Sequence, residues 1–131
     1  MKEIEIRTRS RAEMIDITPA VRAALAEETI PNGLCLIYVP HTTAGVTINE
    51  NADPDVPRDI LAALERAVPF NAGYRHAEGN SPAHVKSSLV GASAMVIIEK
   101  GRLVLGTWQS IFFCEFDGPR TRKCLIKTVK E

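Results

Sequence analysis

The chain holds three histidines, His41, His76 and His84. None of them lies inside an apolar stripe. His41 directly follows an apolar run at 34–39, in the string His41-Thr42-Thr43-Ala44-Gly45. His76 falls in a long polar stretch, and His84 in the first turn of the helix that this stretch leads into. A helix N-terminus disfavours a charged imidazole, so His84 is expected to be neutral and free to act as a ligand. Three converging neutral imidazoles would hold a zinc-like divalent metal and leave one coordination position open. The spacing alone suits three independent surface or capping histidines as well.

A second group is acidic. Asn49-Glu50-Asn51-Ala52-Asp53-Pro54-Asp55 places carboxylates and amides close together, soon after His41. Glu50 and Asp53 could serve as a general base, as partners of the histidines or as oxygen ligands for magnesium. Asp53 and Asp55 equally suit the first turn of a helix. Gly79-Asn80-Ser81 precedes another helix, and its N–H groups could receive a phosphate, with Lys86 one turn further on. Plain capping accounts for that turn too. Gly106-Thr107-Trp108-Gln109 contains the single tryptophan beside an amide, a pairing that suits a planar heterocycle and also suits a core or interface position. Arg120 and Arg122 follow the turn Asp117-Gly118-Pro119; guanidinium forks suit phosphate, although basic residues at a turn are often only solvated.

The elements that must carry these groups come from pattern and composition. The 131 residues fit one domain, 1–131, with enough surface to bury for a core. Lys and Arg total 16 against 16 Asp and Glu, so no basic excess points to nucleic acid or to an anionic membrane. Hydrophobic residues at 45% and charged residues at 24% exclude global disorder. The N-terminal stretch alternates charge with Ile4 and Ile6, so no secretory leader is expected. Cys35, Cys114 and Cys124 are odd in number and each sits in an apolar stretch. Buried thiols in a reducing, cytoplasmic setting are expected.

Residues 3–8 alternate and predict a strand, with a second short one at 14–17. Thr18-Pro19 predicts a helix start, with the helix running over 20–28. The run 34–39 predicts a central strand covered on both faces by a second sheet, the helices or a neighbouring subunit. A short strand is expected at 46–48. Val56, Ile60, Leu64 and Val68 give one apolar stripe on a helix closed by Pro69. The helix after Asn80 should turn Val85 and Leu89 inward and end at Gly91. The last third predicts a four-strand meander: 94–98, 103–105, 109–116 and 121–129, with a glycine turn at 99–102. Helices and strands do not alternate regularly, so the expected class is α+β, mostly antiparallel sheets packed as a sandwich with three helices.

Taken together the motifs resemble the YjbQ-like family, described as secondary thiamine-phosphate synthases, nearly end to end. The most specific block is Ser93-x-x-Val96-x-Ile98-x-x-Gly101-x4-Gly106-Thr107-Trp108-Gln109-x-Ile111. A second is His41-Thr42-Thr43-Ala44-Gly45 with Asn49-Glu50 and Asp53-Pro54, and a third is His76, Asn80, His84 and Lys86. The resemblance implies a homotrimer with pockets near subunit boundaries. It implies a metal or anion site at His41, His76 and His84, and a reaction joining a pyrimidine-methyl diphosphate to a thiazole phosphate with release of pyrophosphate. In that reaction the metal, the N–H groups near Ser81 and Lys86 would take the diphosphate. Trp108 would stack on a ring, with Gln109 beside it. Thr42, Thr43, Asn49, Asn80 and Arg120 would bind substrate, and Glu50 or Asp53 would orient an amino group or a second ion. Magnesium could accompany the diphosphate, yet three histidines favour zinc. That mismatch keeps two other readings open: a metal-dependent hydrolase of a small phosphorylated or amide substrate with Glu50 as base, and a non-catalytic trimeric binder of a phosphorylated metabolite.

Overall fold

A computed structural model describes residues Met1–Glu131. In chain order the elements are β1 (Lys2–Arg7), β2 (Glu13–Asp16), α1 (Thr18–Ala26), β3 (Gly33–Tyr38), β4 (Ala44–Glu50), α2 (Asp55–Ala67), α3 (Ser81–Val90), β5 (Ser93–Glu99), β6 (Arg102–Leu103), β7 (Gln109–Glu115) and β8 (Thr121–Lys130). Five strands form one sheet in the order β1-β8-β3-β5-β6, and three form a second in the order β2-β7-β4. All strand pairs are antiparallel. The fold is α+β, as the pattern implied.

Alternation along each strand decides what is buried. In β3, Cys35 and Ile37 point inward while Leu34 and Tyr38 point out. Val96 and Ile98 of β5 and Cys124 and Ile126 of β8 join them, and Val46, Ile111 and Phe113 meet them from the smaller sheet. Val21, Ala24 and Leu25 of α1 complete this main core. The other face of the smaller sheet presents Phe112 and Cys114, and with Phe116 just past the end of β7 these pack on Ala83, Leu61 and Leu64 of the two remaining helices. The layers are therefore large sheet, small sheet, then α2 and α3. The three cysteines are buried free thiols, and burial raises Cys35 to about 11 and Cys114 and Cys124 to about 12.

Four details depart from expectation. The C-terminal strands do not form a meander: β7 crosses to the small sheet, and β8 inserts between β1 and β3. Thr18 does not cap α1, because its Oγ1 accepts the Ile111 N–H at 2.7 Å; Asp16 Oδ1 takes the Thr18 N–H instead, at 2.9 Å. α3 turns Ala83, Lys86 and Ser87 inward and leaves Val85 40% and Leu89 63% exposed. Ala83 packs with Phe112 and Cys114 of β7, and Ser87 Oγ bonds the Thr42 carbonyl just before β4, so the face with small residues is the one that lies on the sheet. Finally, β3 is central, but its outer face meets nothing within the chain: Leu34, Tyr38, Met95, Ile97 and Val129 are all exposed.

Candidate functional site

One open, polar cavity of about 630 Å³ lies where three connections meet. The link from β3 to β4 brings His41, Thr42 and Thr43; the start of α3 brings Asn80 and His84; the turn from β7 to β8 brings Asp117, Arg120 and Arg122. Tyr38 and Glu78 stand among its other lining residues. His41 and His84 also border a second cavity that runs along α3 past Ser87 and Gly91. The two histidines thus stand between two parts of a groove.

Local packing explains why these segments meet. Gly45 has no side chain, and a Cβ there would lie 2.6 Å from the Gly91 carbonyl oxygen. The Val46 N–H donates to that same oxygen at 3.1 Å. Ser87 Oγ donates to the Thr42 carbonyl at 2.6 Å. These contacts fasten α3, and His84 with it, to the strand that follows His41.

Behind the cavity is a buried ion pair. Glu115 is 0% exposed and Arg122 2%. Arg122 Nε donates to Glu115 Oε1 at 2.9 Å, and Nη2 bonds both Glu115 Oε2 and, at 2.8 Å, Thr43 Oγ1. Thr8 Oγ1 donates to Glu115 at 2.8 Å, and the Phe116 and Asp117 N–H groups donate at 3.1 and 3.2 Å. A buried carboxylate needs such saturation. Its effect is to fix a guanidinium in the cavity wall. Arg120 is held by Asp117 at 3.0 Å, and Asp117 also accepts from Asn80 Nδ2 at 3.0 Å. That bond sets the Asn80 amide orientation, since a carboxylate accepts only. It leaves Asn80 Oδ1 buried without a partner.

The histidines do not assemble as a ligand set. The Lys123 N–H donates to His41 Nε2 at 2.9 Å. That lone pair is engaged, and a neutral ring then carries its proton on Nδ1. His76 meets His84 edge to face with centroids 5.4 Å apart, and its Nε2 lies 3.7 Å from Glu78 Oε2. No three His, Cys, Asp or Glu side chains converge to hold a metal ion. The residues present do not fit the three-histidine centre. Burial, and next the charge of Arg122, hold the His41 pKa below its ordinary 6.5.

The remaining candidates fall elsewhere. Lys86 is buried against Glu65 of α2, whose carboxyl its hydrogen bond holds below the usual range; it clamps two helices and does not line the cavity. Ser81 begins α3 outside the cavity lining. Glu50 pairs with Gln109 at the far end of the β4–β7 ladder, about 20 Å along the strand from Ala44, the end of β4 nearer His41, at the usual rise per residue. Asn49 Oδ1 accepts the Glu50 N–H, Asp53 Oδ1 accepts the Asp55 N–H, and Gln109 Oε1 accepts the Gly106 N–H. Trp108, 63% exposed, belongs to this second group. Glu115 stands in no recognisable motif, and Arg122 reads from sequence only as a basic residue after a turn. The available signal was a lone carboxylate ending the apolar run 111–114, with an arginine seven positions on.

The chain matches the family described as UPF0047 protein YjbQ-like over residues 2–131. It is 60% identical over 128 residues to UPF0047 protein YugU of Bacillus subtilis, covering 97% of each chain. The chain belongs to the YjbQ/UPF0047 family. A UPF0047 protein of Methanocaldococcus jannaschii is 54% identical over 125 residues, 95% of this chain and 91% of the other. The fold of the family agrees too. A YjbQ/UPF0047 protein from Clostridium acetobutylicum superposes with a TM-score of 0.97 at 51% identity, covering 98% of this chain and 100% of that one. A protein from Aeropyrum pernix gives 0.95 at 35% identity, covering 99% and 98%. No helix is long and apolar enough to cross a membrane.

Proposed function

We propose that the groove beside His41 and His84 binds the phosphate end of a small phosphorylated substrate. The reaction is a group transfer of the kind the resemblance implies, joining a pyrimidine-methyl diphosphate to a thiazole phosphate. The observation that carries this reading is the Arg122 guanidinium, fixed by fully buried Glu115 in a polar wall that Arg120 shares. Breaking the carbon–oxygen bond leaves charge on the departing diphosphate, and preformed cationic donors lower the barrier most when they need not reorganise. Arg122 meets that condition. Thr43 Oγ1 accepts from Arg122, which leaves its own proton free for a phosphate oxygen.

The test is calorimetric titration with pyrophosphate, beside an assay for thiamine phosphate with both organic partners present. Binding is expected, with a loss of tenfold or more in Arg120→Ala, a change at an exposed side chain that leaves the buried pair intact. No binding of pyrophosphate overturns the reading; binding without product leaves a binder of phosphorylated metabolites.

We propose further that the chain works as a homotrimer. What supports it is the outer face of the large sheet, where Leu34 pairs with Ile97 and Val129 and Leu36 with Met95. An apolar patch of this extent on a soluble chain is typical of an interface. Glu50, Asp53 and Trp108 would then act on a groove only as a neighbouring copy presents them. Met95→Asp with Ile97→Lys should turn a trimer into a folded monomer in sedimentation equilibrium. A wild-type chain that sediments as a monomer removes the proposal.

A further inference from the structure

We infer that His41 is a tautomer-locked hydrogen-bond donor, with Nδ1–H offered to an anionic ligand group, and that it is not a metal ligand. The inference rests on the anion-binding reading of the groove only for what the donor meets; the tautomer follows from the strand edge itself.

The lock comes from the way β3 ends. β3 and β8 pair from Gly33 with Lys130 to Tyr38 with Leu125. Beyond Tyr38 the chain runs through Val39 to Pro40 and leaves the ladder, so β8 continues toward Thr121 without a strand on that side. Lys123 has its N–H on this exposed edge. A backbone N–H with no strand opposite still requires an acceptor. His41 supplies it: the imidazole folds back and Nε2 receives the Lys123 N–H at 2.9 Å. The ring takes the place of the missing strand for one hydrogen bond.

A backbone N–H cannot accept, so Nε2 cannot carry a proton and keep this bond. Rotating the ring by half a turn would set a carbon against the N–H and lose it as well. Protonating the ring would oppose two donors. The neutral ring with its proton on Nδ1 is the state that satisfies the contact. In that state neither nitrogen has a lone pair for a metal: one is engaged by Lys123, and the other is protonated. Nδ1 has no protein partner, while the ring borders both cavities of the groove. The surrounding charges agree. Burial of the ring is the largest influence toward neutrality and the charge of Arg122 the next; Glu115 opposes them, and Arg120 adds a smaller push in the same direction as Arg122. Arg122 with two charged donors already committed to Glu115, and His41 with one uncharged donor, would together grip an oxyanion without a metal.

The experiment uses full-length protein labelled with ¹⁵N-histidine, prepared without a His-tag. Long-range ¹H–¹⁵N correlation spectra distinguish the two neutral tautomers by which nitrogen couples to which ring protons. His41→Gln identifies the resonance, since the Gln carbonyl can still accept the Lys123 N–H and keep the edge closed. The expected result is the Nδ1–H pattern for His41 at neutral pH. It should be unchanged by dialysis against a chelator or by added zinc, and it should move on titration with pyrophosphate. The Nε2–H pattern overturns the inference. So does stoichiometric zinc in the wild type that His41→Gln loses while remaining folded by circular dichroism. An Nδ1–H resonance that ignores pyrophosphate sustains the tautomer and sinks the phosphate reading of the groove, so the two failures are told apart.

Discussion

Glu115→Ala should be the most damaging single change near the groove. It removes the counter-charge of Arg122, which is 2% exposed, and leaves a guanidinium in the interior. Losing one partner of a buried pair costs about 3–5 kcal/mol, far more than the pair's net contribution when intact. Thr8 Oγ1 and the Phe116 and Asp117 N–H groups lose their acceptor at the same time. Thermal unfolding should show a fall in Tm of more than about 10 °C. The double change Glu115→Leu with Arg122→Met should recover part of that loss, because an apolar pair of similar volume avoids desolvating two charges. Recovery stops short of wild type, since three donors still lack an acceptor. The same double variant should lose pyrophosphate binding entirely. Stability regained while binding stays absent would separate the structural role of the pair from its role in the groove. A Glu115→Ala protein as stable as wild type would show that Arg122 is not confined as the hydrogen bonds require.

Much of the scaffold was legible because local rules agree with the fold. The apolar runs at 34–39, 94–98 and 109–116 became β3, β5 and β7, the three helices start close to their prolines or acids, and Gly101 takes a positive φ of 75° in the turn to β6. What the runs do not encode is their partner. A strand buried on both faces carries no mark of which sheet holds it, so β7 read as the next strand of a meander when it belongs to the small sheet. The outward turn of Val85 and Leu89 was hidden for a related reason. Apolar spacing locates a helix face but not the small residues, Gly45 and Ala83 among them, that decide which face can come closest.

The candidate site divides in the same way. His41, Thr42, Thr43, Asn80, His84 and Arg120 do share one cavity, because each lies at the end of an element and all those ends gather at one side of the small sheet. Glu50 and Asp53 follow His41 closely in sequence, yet β4 is a strand, and a strand carries its two ends apart; Trp108 and Gln109 join them at the far end, where Gln109 pairs with Glu50. His76 stays on the rim, against His84. The residues that organise the cavity, Glu115 and Arg122, are distant from the histidine motif in sequence and reach it only through the β7–β8 turn.

Gly45→Ala tests that closeness with one methyl group. The added Cβ would sit 2.6 Å from the Gly91 carbonyl oxygen and 3.2 Å from Val90 Cγ1. The first neighbour is backbone and cannot rotate away. Either β4 or the end of α3 must move by several tenths of an ångström, and the Val46 N–H bond to Gly91 lengthens from its 3.1 Å. Overpacking of this kind costs about 1–3 kcal/mol, and a backbone obstacle places it toward the upper end. The displacement does not stay local. α3 carries His84 and Asn80, and Ser87 ties the helix to Thr42, so the wall facing Arg122 and His41 shifts with it. Pyrophosphate affinity should fall by more than tenfold in a protein that still folds. The His41 tautomer should be unaffected, because its partner is Lys123 of β8 and not α3. A Gly45→Ala variant that binds as wild type would mean that α3 does not form part of the binding wall, and would confine the site to the β3–β4 and β7–β8 connections.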